Sequence, residues 1–424
     1  VKIAIQTWGS TGDTHPFLAL AAGLATAGHE VTLAITGTDR IDFTPMAERF
    51  GFVIEQSFIG ESEAAVNELG KRIFAIADPI KQTRMIFGEM MESQIDAMFA
   101  TSERLCASHD LMIGHFIMHP ARLAAERAGI PWLTVTLNQG AIPSRYSAPN
   151  PFPNLGAWLN PWLWRLVAHF LDTIVVPYAN ALRARYGAAP IDSYLDCWES
   201  PRLNLIAVSR QLCPRPADWG EHRQITGFFN LPEAHSDWQM PPDLRAFLDA
   251  GEAPVFITFG SMAGLAEPSD ELEETTALLV EAVRMAGCRA IIQSHWNEIR
   301  TVEAGEHIYR FIRAPHERIF PHCAAVVHHG GAGTTQSTTL SGCPSIVVAH
   351  ISDQFFWGAL LHRQGLAPRM LKRRTLTAAK LAKRIRQVLD DPGYRERAEA
   401  AGRRMRAEDG VATAVRLIES MPRR

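Results

Sequence analysis

Apolar residues in this chain fall into short runs separated by longer stretches with helical spacing. Residues 2–7 form one such run, and the polar loop Trp8-Gly9-Ser10-Thr11-Gly12-Asp13-Thr14-His15-Pro16 follows. Residues 17–27 are then alanine-rich with apolar positions at helical spacing. Gly28-His29-Glu30 turns the chain into a second apolar run at 31–36. Strand, loop, helix and strand in this order predict the βαβ unit of a doubly wound sheet. The alternation recurs as a strand at 111–113, a helix near 121–128 and a strand at 132–136.

Around residues 213–254 the texture changes. Pro214, Pro216, Pro232, Pro241, Pro242 and Pro254 crowd a polar stretch that reads as a linker. A new apolar run at 255–259 leads into Gly260-Ser261, and further runs follow at 290–293, 325–328 and 345–348. The pattern predicts an α/β protein of two similar-sized domains: 1–215, a linker at 216–253, and 254–390, with closing helices at 391–424. No internal repeat or low-complexity segment interrupts it.

Composition narrows the class. With 424 residues, 47% apolar and 21% charged, the chain supports two packed cores and is neither disordered nor a disulfide-stapled miniprotein. Its most apolar stretch, 157–179, is broken by Asn160, Pro161, Arg165, His169 and Asp172, which argues against a membrane span. Six cysteines without a CxxC pair disfavour a zinc site or disulfide framework. Together with a strand pattern rather than a leader at 1–5, this leads to the expectation of a soluble, cytoplasmic protein. The net charge of -3 gives no reason to expect nucleic acid. From Arg363 onward, however, 17 Lys/Arg stand against 7 Asp/Glu, a basic end on an acidic body.

Ligands of open α/β sheets sit beyond the carboxyl ends of the strands. Three loops in the second half occupy such places: Phe259-Gly260-Ser261, His328-His329-Gly330-Gly331-Ala332-Gly333-Thr334-Thr335, and His350-Ile351-Ser352-Asp353-Gln354. The middle loop opens a helix, where glycines allow close approach and unpaired amides carry partial positive charge. It reads either as a phosphate cradle without the Walker lysine or as a capped glycine turn. Asp353-Gln354 suits sugar hydroxyls or a helix cap.

These residues carry a family resemblance. The run 325–335, then Gly342-Cys343-Pro344, then Asp353-Gln354-Phe355-Phe356-Trp357-Gly358 resembles the donor signature of family 1 glycosyltransferases, above all sterol and bacterial natural-product glucosyltransferases. Residues 9–16 resemble the acceptor-side motif of the same group. The resemblance implies a GT-B fold: two facing Rossmann-like domains with an interdomain cleft. The first would bind the acceptor and the second the nucleotide sugar, and the last helices would pack back on the first domain. The implied donor set is Gly260, Ser261, Arg313, Ala314, His316, His329, Gly331, Ala332, Gly333, Thr334, Thr335, Asp353 and Gln354. Arg313-Ala314-Pro315-His316 stands where plant members carry Trp-Ala-Pro-Gln, and Gln336-Ser337 stands near the place of a ribose-binding Glu. UDP is therefore the expected nucleotide and dTDP the alternative.

Direct inverting transfer needs a base on the acceptor hydroxyl and stabilisation of the departing diphosphate. By the family match Asp13 is that base; the bland reading makes it a turn or helix cap. His15 competes for the role, and His115, at a strand end, would orient Asp13. His109 precedes that strand, so His109, His115 and His119 do not make a metal site. His329 would neutralise diphosphate charge, and no metal or cofactor is expected. The acceptor-side set is Trp8, Thr11, Tyr146 and Trp357. The aromatic stretch Tyr146, Phe152, Trp158, Trp162, Trp164 and Phe170 either walls an apolar acceptor pocket or is core.

The expected partners are thus a nucleotide sugar and a hydrophobic acceptor (sterol, polyketide, phenol or lipid), with a weak peripheral membrane contact through the basic C-terminal region. A sugar-nucleotide epimerase and a non-catalytic sugar-nucleotide binding protein are the alternatives on the same fold.

Overall fold

Helical crossovers force neighbouring strands to run parallel, and every described strand pair does so. The computed structural model describes residues 1–422 except 61, 77, 150–151, 232–233, 235–236, 261–268, 295–304, 312–314 and 352. The chain forms two compact units, Val1–Leu231 with Asp409–Arg424, and Pro232–Glu408.

The first unit holds β1 (Lys2–Gly9), β2 (Glu30–Gly37), β3 (Val53–Phe58), β4 (Leu111–His115), β5 (Trp132–Thr136), β6 (Asn204–Ile206) and β7 (Arg223–Ile225), in the order β3-β2-β1-β4-β5-β6-β7. Its principal helices are α1 (Thr11–Thr26), α2 (His119–Ala128) and α3 (Asn160–Arg185). The central strands β4 and β5 are buried along their whole length, because helices cover both faces.

The second unit orders β8 (Val255–Thr258), β9 (Ala290–Gln293), β10 (Ile308–Phe311), β11 (Ala325–His328), β12 (Ser345–Ala349) and β13 (Leu371–Lys372) as β10-β9-β8-β11-β12-β13. Around them lie α4 (Pro242–Asp249), α5 (Ser269–Ala286), α6 (Ala332–Leu340), α7 (Gln354–Arg363), α8 (Ala378–Asp390) and α9 (Pro392–Arg406). Period-two alternation sorts the strand residues between two cores. Val255, Ile257 and Val327 pack with Leu279 and Ile385 on one face, while Phe256, Val326 and Ile291 pack with Leu244 and Phe320 on the other.

The last helix, α10 (Gly410–Glu419), belongs to the first unit, where Ala414, Val415 and Ile418 join Leu20, Leu24 and Ile3 in one core. The two boundaries therefore differ from those expected. The segment 216–253 is not a linker, since β7 closes the first sheet and the buried Leu244 of α4 packs in the second unit. Of the closing segment 391–424, α9 stays with the second unit and only α10 joins the first.

A second difference bears on function. The expected loop at 8–16 is short, because β1 runs to Gly9 and α1 begins at Thr11. Ser10 and Asp13 form a capping box, which starts the helix one and a half turns before Pro16. None of the six cysteines is in a disulfide. Among the described residues no helix is long and apolar enough to cross a membrane.

Strand order reverses its direction of growth between β1 and β4 in the first sheet and between β8 and β11 in the second. Crevices beyond the carboxyl ends of such strand pairs are where ligands bind in open α/β sheets.

Candidate functional site

At the first switch point Asp13 stands in the first turn of α1, just beyond β1. Its Oδ2 accepts from the Ser10 amide at 2.9 Å and the Ser10 hydroxyl at 3.0 Å. Gly9 makes room for this: its φ is +127°, and a Cβ there would lie 2.4 Å from Asp13 Oδ2. The surrounding protein withdraws the carboxylate from water and pushes its pKa to about 6. The Ser10 bonds oppose that rise, and the nearby Asp39 charge adds to it. The side chain still keeps 37% of its surface exposed, an open side on which a hydroxyl can approach.

His115 ends β4, one strand away. Its Nε2 lies 3.9 Å from Asp13 Oδ1, beyond hydrogen-bond reach, and its ring packs against Phe17 and Phe116. Neither ring nitrogen has a hydrogen-bond partner, and burial lowers its pKa to about 3. His115 is therefore a neutral imidazole beside an ionised carboxylate. His15 is exposed and lies edge-on to Phe43 with ring centroids 5.7 Å apart.

The acceptor-side expectations need correction at three positions. Thr11 is engaged internally, its amide donating to Asp39 Oδ2 at 2.7 Å and its hydroxyl to the same oxygen. Trp8 is buried at the end of β1, and Trp357 of α7 is wholly buried inside the second unit. Tyr146 is exposed, with its backbone held by Ser144 and Asn154. Of the aromatic stretch, Phe152, Trp158, Trp162 and Phe170 are exposed as well, and Trp164 is core. Asp39 is the residue that pattern reading missed. It follows β2 on the same sheet end, and that position was the available signal.

His109 lies at the opposite end of β4, with its ring nitrogens against the Leu105 carbonyl and the Thr32 hydroxyl. His119 is buried with neither ring nitrogen hydrogen-bonded, its pKa lowered to about 4 by burial.

The second switch point gathers the glycine-rich loop. His329 lies over two glycines: a Cβ on Gly260 would fall 2.7 Å from its Cε1, and one on Gly331 2.3 Å from its Nε2. A side chain at either place would have to displace the ring. Burial lowers the His329 pKa to about 4, and its Nδ1 has no hydrogen-bond partner. Burial thus holds the ring neutral where a cation was expected. His328 is fully buried, and its Nδ1 accepts from the Gly330 amide at 3.1 Å, which shapes the turn.

Gly331 caps α6 without a side-chain hydrogen bond, so the amides of Ala332, Gly333 and Thr334 open the helix with its positive dipole end. A side chain on Gly333 would meet nothing within 4 Å, which leaves the helix start accessible. Thr334 is half-buried, and the Thr335 hydroxyl is buried with no hydrogen-bond partner. Gln354 also has a structural task. Its Oε1 accepts from the amides of His350 at 2.7 Å and Ile351 at 3.2 Å, so it holds the 350–351 turn. Asp353 is half-exposed at the start of α7. His316 stacks on Phe320 at 4.5 Å. Ser261, Arg313 and Ala314 lie outside the described residues.

Each sheet therefore places one chemical element at its switch point: a carboxylate in the first and an uncapped helix start in the second. Comparison with known proteins shows what the chain is similar to. The family model for the Erythromycin biosynthesis protein CIII-like, C-terminal domain, matches residues 288–420. The chain is 30% identical to O-mycaminosyltylonolide 6-deoxyallosyltransferase of Streptomyces fradiae, across 99% of this chain and 97% of that protein. It is 29% identical to Sterol 3-beta-glucosyltransferase UGT80A2 of Arabidopsis thaliana across 98% of this chain, and spans 65% of that longer protein. The crystal structure of the kitacinnamycin glycosyltransferase shares the fold with a TM-score of 0.71 at 21% identity, over 99% of this chain and 98% of that one.

Proposed function

This chain belongs to the family 1 glycosyltransferases of the GT-B fold, and we propose that it moves glucose from UDP-glucose to a hydroxyl of a lipophilic small molecule. A sterol, polyketide, phenol or other lipid alcohol fits this acceptor class. The observation that carries the reading is Asp13 in the first turn of α1, with Oδ2 held by Ser10 and the opposite side open.

Transfer is a single displacement. The acceptor oxygen bonds to the anomeric carbon from the face opposite the diphosphate, which inverts that centre. Its proton passes to Asp13, and the breaking bond leaves its electron pair on UDP. With a pKa near 6, Asp13 is mostly ionised at neutral pH and more basic than a free aspartate. His115 acts as a positioning residue behind Oδ1. In the second unit the uncapped amides at 332–334 and the His329 ring hold the diphosphate, and the helix dipole favours the departing charge. That supply of donors makes a metal ion unnecessary. Asp353 takes sugar hydroxyls, as the family match at that position implies.

Asp13→Asn keeps the shape and removes the proton acceptor, so kcat should fall by about 10²–10⁴-fold with UDP affinity by calorimetry unchanged. Turnover in excess EDTA should equal turnover without it, and recovery of lost activity by Mg²⁺ would sink the metal-free mechanism. Thermal shift with UDP-glucose and dTDP-glucose decides the nucleotide. Near-normal turnover by Asp13→Asn would overturn the assignment of the base.

A further inference from the structure

Among the described residues, eight of the eleven large apolar side chains that stand exposed lie between Tyr146 and Phe170. Trp158 is 90% exposed and Trp162 66%, levels far above those of ordinary scattered surface hydrophobes. On α3 the exposed residues Trp162, Arg165, Leu166, His169 and Phe170 recur every three or four positions and so share one face. Asn160 and Trp164 on the other side are buried.

The face is built rather than loose. Asn160 Nδ2 donates to the Arg145 carbonyl at 2.9 Å and to Asn154 Oδ1 at 2.8 Å, while its Oδ1 accepts from the Leu155 amide at 3.1 Å. Trp164 Nε1 donates to the Ser147 carbonyl at 2.7 Å. Two buried side chains thus lock the loop onto the first turns of α3 and hold its apolar tips outward.

Charge selects the occupant. No Asp or Glu occurs from 146 to 171, while Arg145, Arg165 and His169 are exposed. The Arg165 guanidinium lies 5.1 Å over the Trp162 ring, extending along the apolar face with its charge at the rim. The bordering acids are engaged elsewhere: Asp218 accepts from the Ser144 hydroxyl and the Arg145 amide, and Asp172 from the Ser193 hydroxyl and the Tyr194 amide. A two-fold contact between copies would set these cations against one another with no acid to pair them. A bilayer interface instead offers acyl chains to Trp, Leu and Phe and anionic phosphate to Arg.

We infer that this face docks the protein on anionic lipid bilayers, with Trp158, Trp162, Leu166 and Phe170 entering the headgroup boundary and Arg145 and Arg165 meeting phosphate. The face lies on α3 and the loop before it, a different element from the basic C-terminal region.

The test is flotation of the full chain with vesicles of phosphatidylcholine, with and without phosphatidylglycerol. The wild type should bind the anionic vesicles roughly tenfold more tightly than the neutral ones at low salt. Trp158→Ser/Trp162→Ser should lose about tenfold or more in partitioning at an unchanged melting temperature, and Arg165→Glu should lose the preference for anionic lipid. Trp158→Ser alone, at the more exposed site, serves if the double variant melts early. Binding by the double variant equal to wild type assigns any affinity to the basic end and overturns the inference. Absence of wild-type flotation with both vesicle types does the same, as does a dimer in sedimentation that Trp158→Ser/Trp162→Ser converts to monomer without lipid binding.

Discussion

His115 Nε2 lies 3.9 Å from Asp13 Oδ1, and neither nitrogen of that imidazole is hydrogen-bonded. Burial drives the two groups in opposite directions, the histidine to about 3 and the aspartate to about 6. Above pH 6 the pair is therefore a carboxylate facing a neutral ring. Below pH 6 both groups are uncharged until the histidine begins to protonate.

With Asp13 as the base, kcat/KM for the acceptor should fall about tenfold per pH unit below an apparent pKa near 6 and stay level above it. Asp39→Asn removes a negative neighbour of Asp13, so the same limb should move to lower pH. A limb that stays put in Asp39→Asn but vanishes in His15→Gln would assign the base to His15.

Asp13 also governs stability with a definite sign. Its folded pKa lies above the unfolded value, so the folded state binds the proton more tightly. The stabilisation is fully present below about pH 4 and is lost as pH rises toward 6. At pH 7.5 Asp13→Asn should therefore melt slightly higher than the wild type, and at pH 4 the two should coincide. Partial exposure of the side chain screens the effect, which should stay at about 1 kcal/mol or less. A variant that melts lower at pH 7.5 would show that the Ser10 bonds outweigh the buried charge.

His115→Phe removes no hydrogen bond and preserves an aromatic ring against Phe17 and Phe116. Its melting temperature should not drop, yet kcat should fall about tenfold at constant donor KM if His115 positions Asp13. Unchanged kcat would reduce His115 to packing.

UDP-glucose carries no phosphate group that titrates near neutrality, so it reports on His329 directly. Because burial holds that ring neutral, with a pKa of about 4, donor affinity by calorimetry should be flat from pH 6 to 8. Steady weakening across this range would mean that the bound state charges the imidazole. Gly331→Ala, which would set a Cβ 2.3 Å from His329 Nε2, should displace the ring and weaken the donor at any pH.

Gln354→Ala leaves the amides of His350 and Ile351 without their acceptor. Loss of stability of about 1–3 kcal/mol is expected, read by denaturant unfolding. A variant of full stability that loses only sugar selectivity would restore the direct sugar contact expected at this position.

The strands were legible because central parallel strands are apolar on both faces, as in residues 3–5 and 111–113. The start of α1 was not, because Pro16 outweighed a Ser10–Asp13 capping box in pattern reading. Asp13 and the glycine-rich run 328–335 stood out as loops after strands. Asp39 did not, since its bond to Thr11 joins positions 28 residues apart and only its place after β2 marked it. Burial separates the aromatics in ways that residue type cannot. Trp357 and Trp158 are the same amino acid, one sealed in a core and the other in solvent.

The return of the chain to the first unit after Glu408 has a consequence for biosynthesis. The side of α1 around Gly23, where Val411 of α10 packs, has no cover until the whole second unit has been translated. Domains ordinarily fold as they emerge, N-terminal first. Here the ribosome delivers every strand of the second sheet before the helix that completes the first core, so the earlier-made unit is the later one to finish folding.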